Sequence, residues 1–105
     1  MQNSITTNEL KTLMQNADFA KTNLIIDVRT AEEHSAGCIP GAINICLDEL
    51  PYQLGVFDEY SNGGVNTFFI HCKSGGRSMR ACEFLSSQNI TNAVNVEGGY
   101  EAWQK

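Results

Sequence analysis

Three short apolar runs, Leu24-Ile25-Ile26-Asp27-Val28, Val65–His71 and Ala93-Val94-Asn95-Val96, are separated by stretches with helical spacing. Continuous runs of this kind describe strands buried on both faces. Strands that alternate with helices build a parallel sheet covered on each side, and the crossover connections leave few topologies open. At 105 residues the chain holds one domain, spanning 1–105, with one hydrophobic core.

The remaining segments follow local signals. A helix is expected from Thr6 or Thr7, with Leu10, Leu13, Met14 and Ala17 at helical spacing. Thr30 caps a short helix that ends at Gly37. Ala42–Ile45 reads as a further short strand, Asp48–Leu54 as a short helix starting near Leu47, and Ser61–Gly64 as a loop. From Ser78, the residues Ala81, Cys82 and Leu85 line one face of a helix that stops near Asn89. Tyr100–Gln104 forms a helical tail in which Trp103 closes the core.

In parallel sheets, ligands bind at the carboxyl ends of the strands. Cys72 stands at such an end and opens the loop Cys72-Lys73-Ser74-Gly75-Gly76-Arg77-Ser78. Glycines there let backbone N–H groups turn inward, and the next helix adds its positive N-terminal end. Both stabilise a thiolate, so Cys72 is expected to be a reactive cysteine with a lowered pKa.

The net charge of -5 argues against nucleic acid or an anionic membrane as a partner. Yet three of the seven basic residues, Lys73, Arg77 and Arg80, follow Cys72 closely, and no Asp or Glu occurs between Glu59 and Glu83. One electropositive spot on an acidic body suits a small anion.

The four cysteines, Cys38, Cys46, Cys72 and Cys82, show no C-x-x-C pair and no finger-like His spacing, which argues against a zinc site. They read as thiols in a reducing, cytoplasmic compartment. Met1-Gln2-Asn3-Ser4 is not a basic segment leading into an apolar stretch, so no signal peptide is expected, and no run is long enough to span a bilayer.

Three stretches together resemble the single-domain rhodanese family of sulfurtransferases. They are Ile26-Asp27-Val28-Arg29 with Glu32-Glu33 and Gly37-Cys38-Ile39-Pro40-Gly41-Ala42-Ile43-Asn44; the Cys72–Ser78 loop; and Asn95-Val96-Glu97-Gly98-Gly99 with Ala102-Trp103. Their order and separation match the family over nearly the whole chain. The chain departs from the family at Cys38, usually His, at His34, usually aromatic, and at Asn89, usually Gly.

The resemblance implies a three-layer α/β domain with a central, mostly parallel five-stranded sheet. It also implies double displacement, in which the Cys72 thiolate takes the outer sulfur of a donor such as thiosulfate and holds it as a persulfide. Cyanide, a cellular thiol or a sulfur-accepting protein then removes that sulfur. The residues suit this chemistry. The loop N–H groups across Lys73–Ser78 can hold the anionic sulfur, and the Lys73 and Arg77 side chains can bind the oxygens of a small anionic donor. No metal or organic cofactor is called for.

Two other readings compete. Cysteine phosphatases and arsenate reductases also use a Cys-loop-Arg cradle, but with five residues between Cys and Arg; here four separate Cys72 from Arg77, and the loop lacks a carboxylate to protonate a leaving alcohol. A non-catalytic regulatory module, or a persulfide carrier dependent on a partner, is the other.

Asp27 and Arg29 read as a supporting pair that bonds to each other and to loop backbone near the sheet end. His71 should point to the face opposite Cys72 as a satisfied core histidine. His34 is expected on an exposed helix face, and Arg80 at the rim of the pocket or solvated. Cys38 and Cys46 read as buried bystanders and Cys82 as core.

Overall fold

A computed structural model describes residues 3–105, so Met1 and Gln2 of the N-terminal reading lie outside the described residues. In chain order the elements are β1 (Asn3–Thr6), α1 (Thr7–Met14), α2 (Phe19–Thr22), β2 (Asn23–Asp27), α3 (Ala31–Ala36) and β3 (Ile43–Asn44). A 3-10 helix at Leu47–Tyr52 follows, then α4 (Leu54–Asn62), β4 (Thr67–His71), α5 (Gly76–Ser87), β5 (Ala93–Glu97) and α6 (Gly99–Trp103). The five strands form one sheet in the order β1-β5-β4-β2-β3, and every pairing is parallel.

Period-two alternation divides the core into two layers. On one face Ile26, Val28, Phe68 and Ile70 pack with Phe57 of α4 and Ala81, Cys82 and Leu85 of α5. On the other, Ile25, Phe69 and Val96 pack with Leu10 of α1 and Ile39, and Tyr100 and Trp103 of α6 lie against them. Trp103 is thus a half-buried part of this second layer, as expected, and Lys11 covers it, its Nζ 4.8 Å from the ring centroid. Asn89 adopts a left-handed φ of 65° just past the end of α5, the conformation expected to stop that helix.

Several elements differ from expectation: the first helix stops at Met14, short of Ala17, and a separate short helix, α2, follows it. β1 carries no strand signal in the sequence, because Asn3-Ser4-Ile5-Thr6 has one apolar residue and an exposed outer edge; its ladder with β5 defines it. The segment expected as a helix over Asp48–Leu54 is a 3-10 helix that contains Pro51, and α4 restarts at Leu54 and runs into the expected Ser61–Gly64 loop. Proline has no N–H to give to an α-helical ladder, so the break falls beside it. α5 begins at Gly76, two residues before Ser78. None of the described helices is long and apolar enough to cross a membrane.

Candidate active site

Cys72 follows β4 directly and continues its alternation, so it joins Phe68 and Ile70 on the α5 face. The chain then turns through Lys73–Gly75 into α5. Gly75 holds φ at 114°, which L side chains rarely adopt, and its amide donates to the Cys72 sulfur across 3.0 Å. Gly76 has an ordinary φ and begins α5, so the expected backbone freedom is used at Gly75 alone.

The loop is anchored from outside by α6. The Tyr100 amide donates to the Cys72 carbonyl at 2.8 Å and the Glu101 amide to the Lys73 carbonyl at 3.0 Å. This close approach explains Gly99, where a Cβ would collide with the Cys72 carbonyl oxygen and with the Lys73 backbone.

Ser78, on the first turn of α5, places its hydroxyl 3.5 Å from the Cys72 sulfur. The same hydroxyl meets the Gly75 carbonyl at 3.0 Å and the Asn95 side chain of β5. Cys72 is 1% exposed, and burial pushes its thiol up. The Ser78 hydroxyl and the Ser78, Gly75 and Ser74 amides outweigh that effect, so the thiol lies below its ordinary value. Cys82, by contrast, is buried without such donors and is pushed up to about 12, chiefly by desolvation.

Lys73 and Ser74 are exposed, as is Arg80 one turn beyond Arg77. Arg77 is half-buried and already engaged. Its Nη1 and Nη2 donate to the two carboxylate oxygens of Glu33 at 2.8 and 2.9 Å. Glu33 is in turn held by the N-terminal cap of α3, accepting from the Thr30 amide and hydroxyl at 3.1 Å each. The Arg77 guanidinium holds the Glu33 carboxyl down at about 2. The sequence alone gives Glu33 no role at the site; the Thr30-x-x-Glu33 capping-box spacing is the available signal.

Asp27 and Arg29 pair on the opposite face of the sheet from Cys72. Arg29 Nε and Nη2 donate to Asp27 Oδ1 and Oδ2 at 2.9 and 2.7 Å, and Nη2 also reaches the Gly37 carbonyl at 2.6 Å. Burial raises the Asp27 carboxyl, but the Arg29 side chain and amide outweigh it and hold the group below its ordinary value. Asn44 adds bonds to the Asp27 and Arg29 carbonyls at 3.0 and 2.9 Å.

His34 does not sit free on a helix face as expected. α3 folds it back so that Nδ1 lies 2.9 Å from Asp27 Oδ2. His71, the register partner of Asp27 in β4, is fully buried on the same face, as alternation requires. It is not a satisfied histidine, however. Nδ1 lies 3.4 Å from the Cys72 carbonyl, whereas Nε2 has no hydrogen-bond partner and stays 3.9 Å from Asp27 Oδ2. Desolvation lowers His71 to about 4, so it is neutral at pH 7.

Cys38 and Cys46 are half-buried rather than buried, and all four cysteines are free thiols. A cavity of about 600 Å³, lined in part by Ala20, Leu24, Tyr60 and Val65, lies at the amino ends of β2 and β4, away from the loop.

Comparison with known proteins supports the fold and the family. The rhodanese-like domain model matches residues 6–105. A rhodanese-like domain protein from Staphylococcus aureus superposes with a TM-score of 0.82 at 40% identity, covering 97% of this chain and 91% of that one. YtwF of Bacillus subtilis is 38% identical over 80 residues, 76% of this chain and 72% of that protein. The human thiosulfate:glutathione sulfurtransferase is 32% identical over 88 residues, 75% of this chain and 76% of that protein. Relatives named as sulfurtransferases support sulfur transfer as the activity of the group. From the match across residues 6–105 and the likeness to these proteins, the chain belongs to the rhodanese-like domain family.

Proposed function

We propose that the domain is a sulfurtransferase that carries sulfane sulfur as a persulfide on Cys72. The observation that carries this reading is the buried Cys72 sulfur, met by the Gly75 amide at 3.0 Å and the Ser78 hydroxyl at 3.5 Å. A thiolate held this way is both nucleophile and later leaving group.

In the first half-reaction the thiolate attacks the outer sulfur of the donor. A new S–S bond forms to Cys72, the donor's own bond to that sulfur breaks, and its electron pair leaves with sulfite when thiosulfate is the donor. The negative charge moves from Sγ to the terminal sulfur, where the amides of Ser74, Gly75 and Ser78 and the positive end of α5 oppose it at little reorganisation cost. In the second, cyanide or a thiol, including one on a protein, attacks that terminal sulfur and returns the thiolate. Lys73 and Arg77 are the side chains we assign to meet the donor's oxygens, Lys73 being exposed and Arg77 paired with Glu33. Asp27 and Arg29 support the strand ends from the other face and touch no reactant.

The test is thiocyanate formation from thiosulfate and cyanide by the wild-type protein and Cys72→Ser, with circular dichroism to check folding. Turnover that falls to background in a folded variant is the expected result; retained turnover refutes the assignment.

A further inference from the structure

Of the two loop cations, Arg77 is neutralised from within the protein. Both terminal nitrogens of Arg77 are occupied by Glu33, and Glu33 is fixed by the Thr30 cap. Arg29 is likewise matched by Asp27 on the far face. Backbone dipoles and a hydroxyl therefore set the field at Cys72, with no net side-chain charge beyond the exposed Lys73 and Arg80. A donor sulfonate that takes the two N–H groups bound to Glu33 must displace the carboxylate, and one that takes the other N–H groups of the guanidinium binds with Glu33 still beside it. The first exchanges one anion for another, and in both a carboxylate stands close to a doubly charged ligand.

We propose that Glu33 is a specificity-determining residue that turns Cys72 away from dianionic donors and toward donors of single charge, such as persulfides and thiosulfonates with uncharged tails. The inference rests on the Cys72 persulfide reading and adds the charge class of the donor. Thiosulfate and methanethiosulfonate isolate that charge, because a methyl group replaces one anionic oxygen. Both deliver the same sulfur atom; one releases sulfite and the other methanesulfinate, each departing with the electron pair of the broken S–S bond.

The experiment measures kcat/KM for both donors, with cyanide as acceptor, in wild type, Glu33→Gln, Arg77→Ala and the double variant. Gln at this position keeps the capping box of α3, so E33Q removes charge without removing the cap. The thiosulfate-to-methanethiosulfonate ratio should rise about tenfold in E33Q, fall by a similar factor in R77A, and return near the wild-type value in the double variant. A ratio that stays within about twofold of wild type in folded E33Q overturns the role of Glu33. If the wild type takes sulfur from neither donor, the persulfide reading itself fails.

Discussion

The amide of Gly75 donates to the Cys72 sulfur across 3.0 Å from a residue held at φ 114°. The sulfur's nearest donor is thus part of the backbone and needs no side-chain rearrangement as charge shifts during transfer. The Ser78 hydroxyl accepts from the Cys72 thiol and itself donates toward the Gly75 carbonyl and Asn95 Oδ1, which fix where it sits.

Ser78→Ala is therefore expected to raise the Cys72 pKa, since the hydroxyl is the leading cause that opposes burial. The midpoint of the alkylation rate against pH should move upward. At neutral pH the rate should drop about fivefold, the worth of one hydrogen bond. A profile that superposes on wild type contradicts this assignment.

The two glycines Gly76 and Gly99 should respond in opposite ways. Gly99→Ala pushes a Cβ into the Cys72 carbonyl and should cost about 2 kcal/mol or more in urea unfolding. Gly76→Ala meets nothing within 4 Å at the start of α5 and should stay within about 0.5 kcal/mol of wild type or gain stability. Equal losses would mean that the α6–loop approach does not constrain the site.

Asp27 anchors charge on the face opposite the sulfur. Asp27→Asn leaves the Arg29 guanidinium, 4% exposed, without its counter-ion. Removing one partner of a buried pair costs about 3 kcal/mol or more, so thermal or urea unfolding should show a loss of that size. Sulfur loading of Cys72 should persist in the folded fraction, because Asp27 touches no reactant. Loss of loading with stability intact would instead place Asp27 in the chemistry.

His71 makes stability depend on pH. Its folded value is about 4 against an ordinary 6.5, so between these values the unfolded chain binds a proton that the native state does not. Its contribution is complete above pH 6.5 and is lost as pH falls toward 4. From pH 7 to 4.5 that amounts to about 2 kcal/mol. The slope should flatten by about this amount in His71→Asn, measured by urea unfolding at the two pH values. An unchanged slope would contradict the buried neutral state.

What the sequence made legible follows from burial and from local geometry. β2, β4 and β5 announce themselves as apolar runs because helices cover both faces, whereas β1 lies exposed at an edge and carries almost no pattern. The Cys72 loop is readable because strand, glycine and helix start lie within seven residues. The Glu33–Arg77 pair joins residues 44 positions apart, and only tertiary packing of α3 against the loop brings them together. The return of His34 onto Asp27 depends in the same way on how α3 is turned. The unpartnered Nε2 of His71 is a property of the finished core, since alternation fixes which face a side chain takes and not what it meets there.

The central claim is that Cys72 itself holds the transferred sulfur, and intact mass spectrometry tests it most directly. After incubation with a sulfane-sulfur donor and removal of excess reagent, the protein should gain the mass of one sulfur atom. Peptide mapping should place it on Cys72, and cyanide should remove it as thiocyanate. A protein that gains no sulfur, or carries it on Cys38, Cys46 or Cys82 instead, would contradict the account.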